Sequence, residues 1–135
     1  MRSRREFLAV AVGAAASQGF AATMVRMRRI GWLTAQRAGS LTTYLEALRQ
    51  GLAEQKIAEG QSVEILYRYG DDELGRVPEM ARDLVAKEVE LLIVQGAAIP
   101  AVLKLDLPVP IVFVTSADPI AAGFAKSLTE PIGHC

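Results

Sequence analysis

The segment Val89–Lys104, VELLIVQGAAIPAVLK, constrains the fold more than any other part of the chain. Leu91-Leu92-Ile93-Val94 is an unbroken apolar run. Without polar alternation, such a run suits a strand covered on both faces, as in a parallel sheet flanked by helices. The small residues Gln95-Gly96-Ala97-Ala98 follow as a turn. Pro100 suits a first helical position, where its missing N–H costs nothing. A strand, a small-residue turn and a helix start form the kind of junction at which open α/β sheets place ligands. Free N–H groups at a helix start favour an anion there, although most such turns bind nothing.

The flanking sequence extends this pattern. Ile30-Gly31-Trp32-Leu33 predicts a first strand, and Thr34 to Ser40 a polar turn. Leu41, Tyr44, Leu45, Leu48 and Leu52 form one apolar stripe at helical period. Thr43 with Glu46 is a candidate capping box, with Ser40 as a competing cap. Val63, Ile65 and Tyr67 alternate with Glu64, Leu66 and Arg68 as a second, more exposed strand. Gly70-Asp71-Asp72 is a turn with Asp72 as a candidate cap, and Val77, Met80, Ala81, Leu84 and Val85 give the next helix. After the strand at Leu91–Val94 and a short helix from Pro100, Val109 to Val114 is a fourth strand. Asp118-Pro119 then starts a helix expected to reach about Leu128. Four strands alternating with helices predict a parallel sheet with right-handed crossovers and the order 2-1-3-4.

The N-terminus reads as an export address. Residues 1–22 combine a basic head, a short alanine-rich apolar core and small residues at the end, the pattern of a cleaved signal peptide. Ser3-Arg4-Arg5-Glu6-Phe7-Leu8 matches a twin-arginine signal, which places Arg4, Arg5, Phe7 and Leu8 in the recognised motif. The apolar core is shorter than the ~20 residues that span a bilayer. These features predict cleavage between Ala21 and Thr23, a periplasmic product and a transient partner in the twin-arginine export machinery.

Charge and motif content narrow the function. Fifteen basic residues balance fifteen acidic ones, and no basic stripe with interleaved aromatics suggests nucleic acid. The lone Cys135 and the lone His134 are neighbours at the C-terminus, which makes an intrachain disulfide or a zinc site of that pair unsuitable. No G-x-G-x-x-G, Walker loop, serine elbow or H-E-x-x-H motif occurs. No cofactor, metal site or catalytic residue is therefore expected. Asp71-Asp72 could hold a metal, but a turn role suits an adjacent pair better. Asp118 could meet a ligand beyond the fourth strand or cap the helix that Pro119 begins.

The succession SRREFL, RRIGWL, YLEALRQGLAEQKIAEGQSVEILYRY, GDDELGRVPEMARDLV, ELLIVQGAAIPAVLK and VPIVFVTSADPIAAGFAKSL resembles exported substrate-binding proteins of ABC transporters. The branch is the one similar to tryptophan- and tyrosine-binding proteins. The resemblance runs from Arg4 to about Leu128. It implies two α/β lobes closing on a small solute, an ABC permease as partner, and no enzymatic activity. It also implies solute contacts from the turns after the first, third and fourth strands: Ala35 and Gln36; Gly96, Ala97 and Ala98; Ser116 and Asp118. Three departures accompany it. Ile99 stands where the family favours a small polar residue before the proline, which predicts the loss of a capping oxygen, about 1 kcal/mol by analogy with other caps, and of a polar solute contact. The segment Pro100–Pro110 is short, so the third helix should have about one and a half turns. The tail Glu130–Cys135 departs from the family's continuation, so residues 23–135 are expected to be an incomplete first lobe, with a frameshift or truncated gene as the origin. The competing readings are a non-functional or structural α/β fragment and a flavodoxin-like enzyme, the latter without any catalytic constellation.

Overall fold

A computed structural model describes residues 26–127, 129 and 130. Its four strands are β1 (Arg28–Thr34), β2 (Val63–Tyr69), β3 (Leu91–Gln95) and β4 (Ile111–Val114). All pair in parallel, in the order β2-β1-β3-β4. The expected 2-1-3-4 sheet is thus observed, with β1 and β3 internal. The helices are α1 (Thr42–Glu54), preceded by a 3-10 turn at Ala38–Leu41, then α2 (Val77–Ala86) and α3 (Ile99–Leu103).

Side chains alternate across a strand, so the sheet has two distinct faces. Leu33, Leu92, Val94 and Ile111 meet α2 and α3 through Val77, Ala81, Leu84, Ile99 and Val102. On the other face Trp32, Val63, Ile65 and Ile93 meet Leu41 and Leu45, at the start and on the inner side of α1. Gly31 faces α2. A Cβ there would lie 2.6 Å from Leu92 Cδ2 and 3.1 Å from Leu84 Cδ1, so a side chain at this position would displace the leucine ends that close over β1.

Several local expectations give way to the structure. The apolar stripe on α1 loses Tyr44, which is 57% exposed. The candidate caps of α1 are also unused: Leu41 occupies the N-cap without a side-chain bond. The preceding 3-10 turn, in which Ser40 lies, already satisfies part of the helix entrance, and the Thr42 hydroxyl donates to the Gly39 carbonyl. Asp72 caps nothing. Asp71 and Asp72 take left-handed backbone conformations, φ +53° and +68°, which aspartate tolerates better than most residues. Their carboxylates pair with Arg76 at 2.9 Å and Arg37 at 2.7 Å. The turn reading of this acidic pair is the one the geometry satisfies.

Pro100 is the second residue of α3, not the first, and Ala98 holds the N-cap. Ile99 is fully buried in the core. It stands past the cap, so the cap loss expected there does not arise; a polar residue at this position would be buried among apolar side chains. The helix expected from Asp118 to Leu128 is a single turn. Asp118 Oδ1 accepts the N–H groups of Ile120 and Ala121. Gly123, at φ +78°, then reverses the chain: its N–H donates to the Ile120 carbonyl and that of Phe124 to the Pro119 carbonyl. This is the paired closure of a Schellman motif. Phe124 then packs against Phe113, with ring centroids 5.9 Å apart.

Candidate functional site

In a parallel sheet the ends of all strands share one edge. At the carboxyl edge here, Thr34 pairs with Tyr69 on one side and Gln95 on the other, and Gln95 pairs with Val114. The turns after β1, β3 and β4 therefore stand side by side, about 4.8 Å apart per strand. β1 leads to α1 on one face, whereas β3 leads to α3 on the opposite face. The chain thus diverges between β1 and β3, the topological switch point at which open α/β sheets place their ligands.

The turn after β1 is held from below. Gly70 N–H donates to the Thr34 carbonyl at 2.9 Å, and Asp72 N–H to the Ala35 carbonyl at 2.7 Å. A Cβ on Gly70 would lie 2.9 Å from the Ala35 backbone, so the two turns stack directly. Ala35 is consequently buried and its carbonyl is occupied. Gln36 is half-buried, and its N–H donates to Thr34 Oγ1 at 3.2 Å. Thr34, itself fully buried, donates to Gln95 Oε1 at 2.8 Å. One hydroxyl thereby ties the β1 turn to the end of β3, across the switch point.

Beyond Gln95, Gly96 adopts φ +62° and opens the 3-10 turn Gly96–Ala98. Gly96 is half-buried, Ala97 exposed and Ala98 fully buried. After β4, Ser116 is exposed, and Thr115 Oγ1 accepts the Ala117 N–H at 3.0 Å. Asp118 is exposed, with Oδ1 engaged by its own turn. Of the residues expected to contact a solute, the fold brings Ala35, Gln36, Gly96, Ala97, Ala98 and Ser116 to adjacent strand ends. Gln36, Gly96, Ala97 and Ser116 have exposed surface. Asp118 lies further along, beyond the turn at Ser116. Arg4, Arg5, Phe7 and Leu8 lie outside the described residues, as do His134 and Cys135.

The sequence pattern assigns Thr34 and Gln95 to the turns, whereas both end strands, β1 and β3. Each is a polar residue closing an apolar strand, in IGWLT and LLIVQ.

Two cavities lie at the opposite, amino-terminal edge. One, of about 270 Å³, is lined by Arg26, Met27, Arg29, Glu88 and Glu90. The other, of about 360 Å³, is lined by Ile30, Ile57, Val63 and Leu91 with polar neighbours. Neither touches the switch point. Among the described residues, no group of three or more His, Cys, Asp or Glu side chains could hold a metal ion.

Three of the perturbed ionisable groups, Arg49, Glu59 and Tyr67, cluster away from the switch point, whereas Tyr69 ends β2 beside Thr34. Arg49 on α1 donates to Glu59 at 2.8 Å and to the Tyr67 hydroxyl at 3.0 Å, and Tyr67 donates to Glu59 at 2.8 Å. Burial pushes the Glu59 carboxyl up, but the bonds from Arg49 and Tyr67 outweigh it and hold it below its ordinary value. Burial, followed by the bond to Glu59, raises the Tyr67 hydroxyl, and burial raises that of Tyr69. This triad clamps α1 to the outer strand.

The fold is a doubly wound α/β lobe with its topological switch point between β1 and β3. The family model for ABC transporter substrate binding protein matches residues 35–134, and the chain belongs to that family. Three solved structures share the fold. The ABC domain in complex with L-Trp from Streptococcus pneumonia is 25% identical, with a TM-score of 0.69 over 81% of this chain and 37% of that one. A conserved domain protein from Vibrio cholerae is 21% identical, with a TM-score of 0.67 over 76% and 35%. The ligand-free, open structure of CD0873, a substrate binding protein with adhesive properties from Clostridium difficile, is 18% identical, with a TM-score of 0.66 over 78% and 36%. This chain thus spans little more than a third of the length of each. No curated protein matches it.

Proposed function

We propose that residues 23–135 form part of the first lobe of a solute-binding protein that serves an ABC importer, and that residues 1–22 direct export to the periplasm by the twin-arginine route. The solute is small and amino-acid-like. The observation that carries the reading is the convergence of the β1, β3 and β4 turns at the switch point of a chain in this family. The L-Trp complex of the 25% identical relative supports the choice of solute class. In this reading Gln36, Gly96, Ala97 and Ser116 present one wall of the cleft, with Ala35, Ala98 and Asp118 shaping it. The partners are the solute, an inner-membrane permease and, during export, the twin-arginine machinery.

One wall binds weakly. Pockets commonly bury roughly 70–90% of a small ligand, and a single lobe offers about half of that. α3 has only five residues, so its entrance adds little beyond the ~0.3–1 kcal/mol typical of an exposed helix start. Micromolar affinity needs about 8 kcal/mol. Titration of residues 23–135 with L-tryptophan and branched amino acids by calorimetry tests this. Dissociation constants weaker than about 10 μM are expected. A tighter constant that is lost in Gly96→Val would contradict the one-wall account. For export, the expected result is a processed N-terminus between Ala21 and Thr23 in periplasmic material and blocked export in Arg4→Lys with Arg5→Lys. Unprocessed cytoplasmic protein contradicts it.

A further inference from the structure

We infer that Gln95 is the hydrogen-bond donor that this lobe offers to a carboxylate of the solute, and that Thr34 is the positioning residue that aims it. The inference rests on the solute-binding reading and adds to it a residue, an atom and a ligand group.

The hydroxyl of Thr34 fixes the orientation. Its oxygen accepts the Gln36 N–H at 3.2 Å, and its hydrogen goes to Gln95 Oε1 at 2.8 Å. Thr34 is fully buried, so its hydroxyl hydrogen needs a protein acceptor, and Gln95 Oε1 is the one it meets. A flipped Gln95 amide would set a second donor against the same oxygen and leave the buried hydroxyl hydrogen without an acceptor, which is costly. The Gln95 oxygen is thereby committed to Thr34. Its Nε2, with two donor hydrogens, bonds to no other described residue. Gln95 is only half-buried and closes β3 opposite Thr34, at the point where β1 and β3 send their chains to opposite faces. A neutral donor pair fixed at that switch point suits a carboxylate oxygen, with which a hydrogen bond is stronger than with a neutral acceptor.

The amino acid chemistry of the solute makes the test direct. The side-chain amide protons of Gln95 are followed by NMR in the full chain as L-phenylalanine is added to millimolar concentration. 2-Phenylethylamine, with the same ring and amine but no carboxylate, is the control. The expected result is a shift of the Gln95 pair with the amino acid and none with the amine. In Gln95→Leu, affinity read at the Gly96 amide falls at least about tenfold, the loss of one charge-assisted bond. Thr34→Val lowers it several-fold and Thr34→Ser restores it, because serine keeps the hydroxyl. Equal shifts with the amine overturn the inference. So does a Gln95→Leu protein that melts earlier but binds unchanged, since the amide would then serve the fold alone. If Gly96 and Gln36 respond while the Gln95 pair does not, the inference falls and the solute-binding reading stands. If no common L-amino acid moves any of these signals, both fall.

Discussion

The two faces of the sheet are built to different standards. The face under α2 and α3 buries thirteen residues in one cluster, all of them apolar. The face under α1 buries six, leaves Val112 46% exposed, and holds a buried indole N–H on Trp32 with no partner among the described residues. It also carries the row Tyr69, Thr34, Gln95 and Val114 at its carboxyl edge. Among the described residues Val112 of β4 lies open on this face, while Val114 packs against the cluster under α1. The contrast teaches that one face carries most of the apolar core, while the other carries the polar strand ends and more open surface.

The largest break in this comparison is Leu92→Ala, in the closed face. Leu92 is fully buried between Gly31 and α2, so the loss should be about 2–5 kcal/mol. Val112→Ala, on the open face, should cost under ~1 kcal/mol, since a half-exposed side chain leaves no cavity. Urea denaturation of both variants measures the gap; equal losses would erase the asymmetry.

A smaller break is Gly70→Val. Its side chain meets the Ala35 backbone rather than a flexible side-chain end, so about 1–3 kcal/mol of overpacking is expected. The amide signals of Ala35 and Gln36 should move with it. A stable protein with those signals unmoved would show that the two turns do not stack.

The smallest effect concerns pH at the α1 clamp. Glu59 has a lowered folded pKa, so its contribution is present above the unfolded value of 4.5 and is lost as pH falls through the lower folded value. Tyr67 has a raised one, so its contribution is present below the unfolded value of 10.0 and is lost as pH rises through the higher folded value. Tyr67→Phe should remove the Tyr67 part of the alkaline decline, leaving that of Tyr69, whose pKa is also raised. Melting curves across both windows measure this, and an unchanged alkaline slope would remove Tyr67 from the clamp.

Much of the architecture was legible in the sequence because burial leaves a one-dimensional record. Leu91-Leu92-Ile93-Val94 announced an internal strand, and alternation with helices ordered the sheet. Features set by backbone geometry were harder to read. Gly123 ended the last turn after Asp118, although the apolar residues beyond it suggested a longer helix. Ile99 resembled a cap position only because the cap had moved to Ala98. At the site, the turns were legible by position, but the link between Thr34 and Gln95 joins residues 61 apart and leaves no local pattern. Ala35 and Ala98 proved buried for a similar reason, since the segments that cover them are distant in sequence.

We propose above that the switch point between β1 and β3 forms one wall of a solute cleft. Mapping backbone amide shifts along the chain during a titration with L-tryptophan tests it most directly. Weak, fast-exchanging binding is expected, with shifts concentrated at residues 34–36, 95–98 and 115–118. Shifts centred on the opposite edge, around Ile30, Ile57 and Leu91, would contradict it.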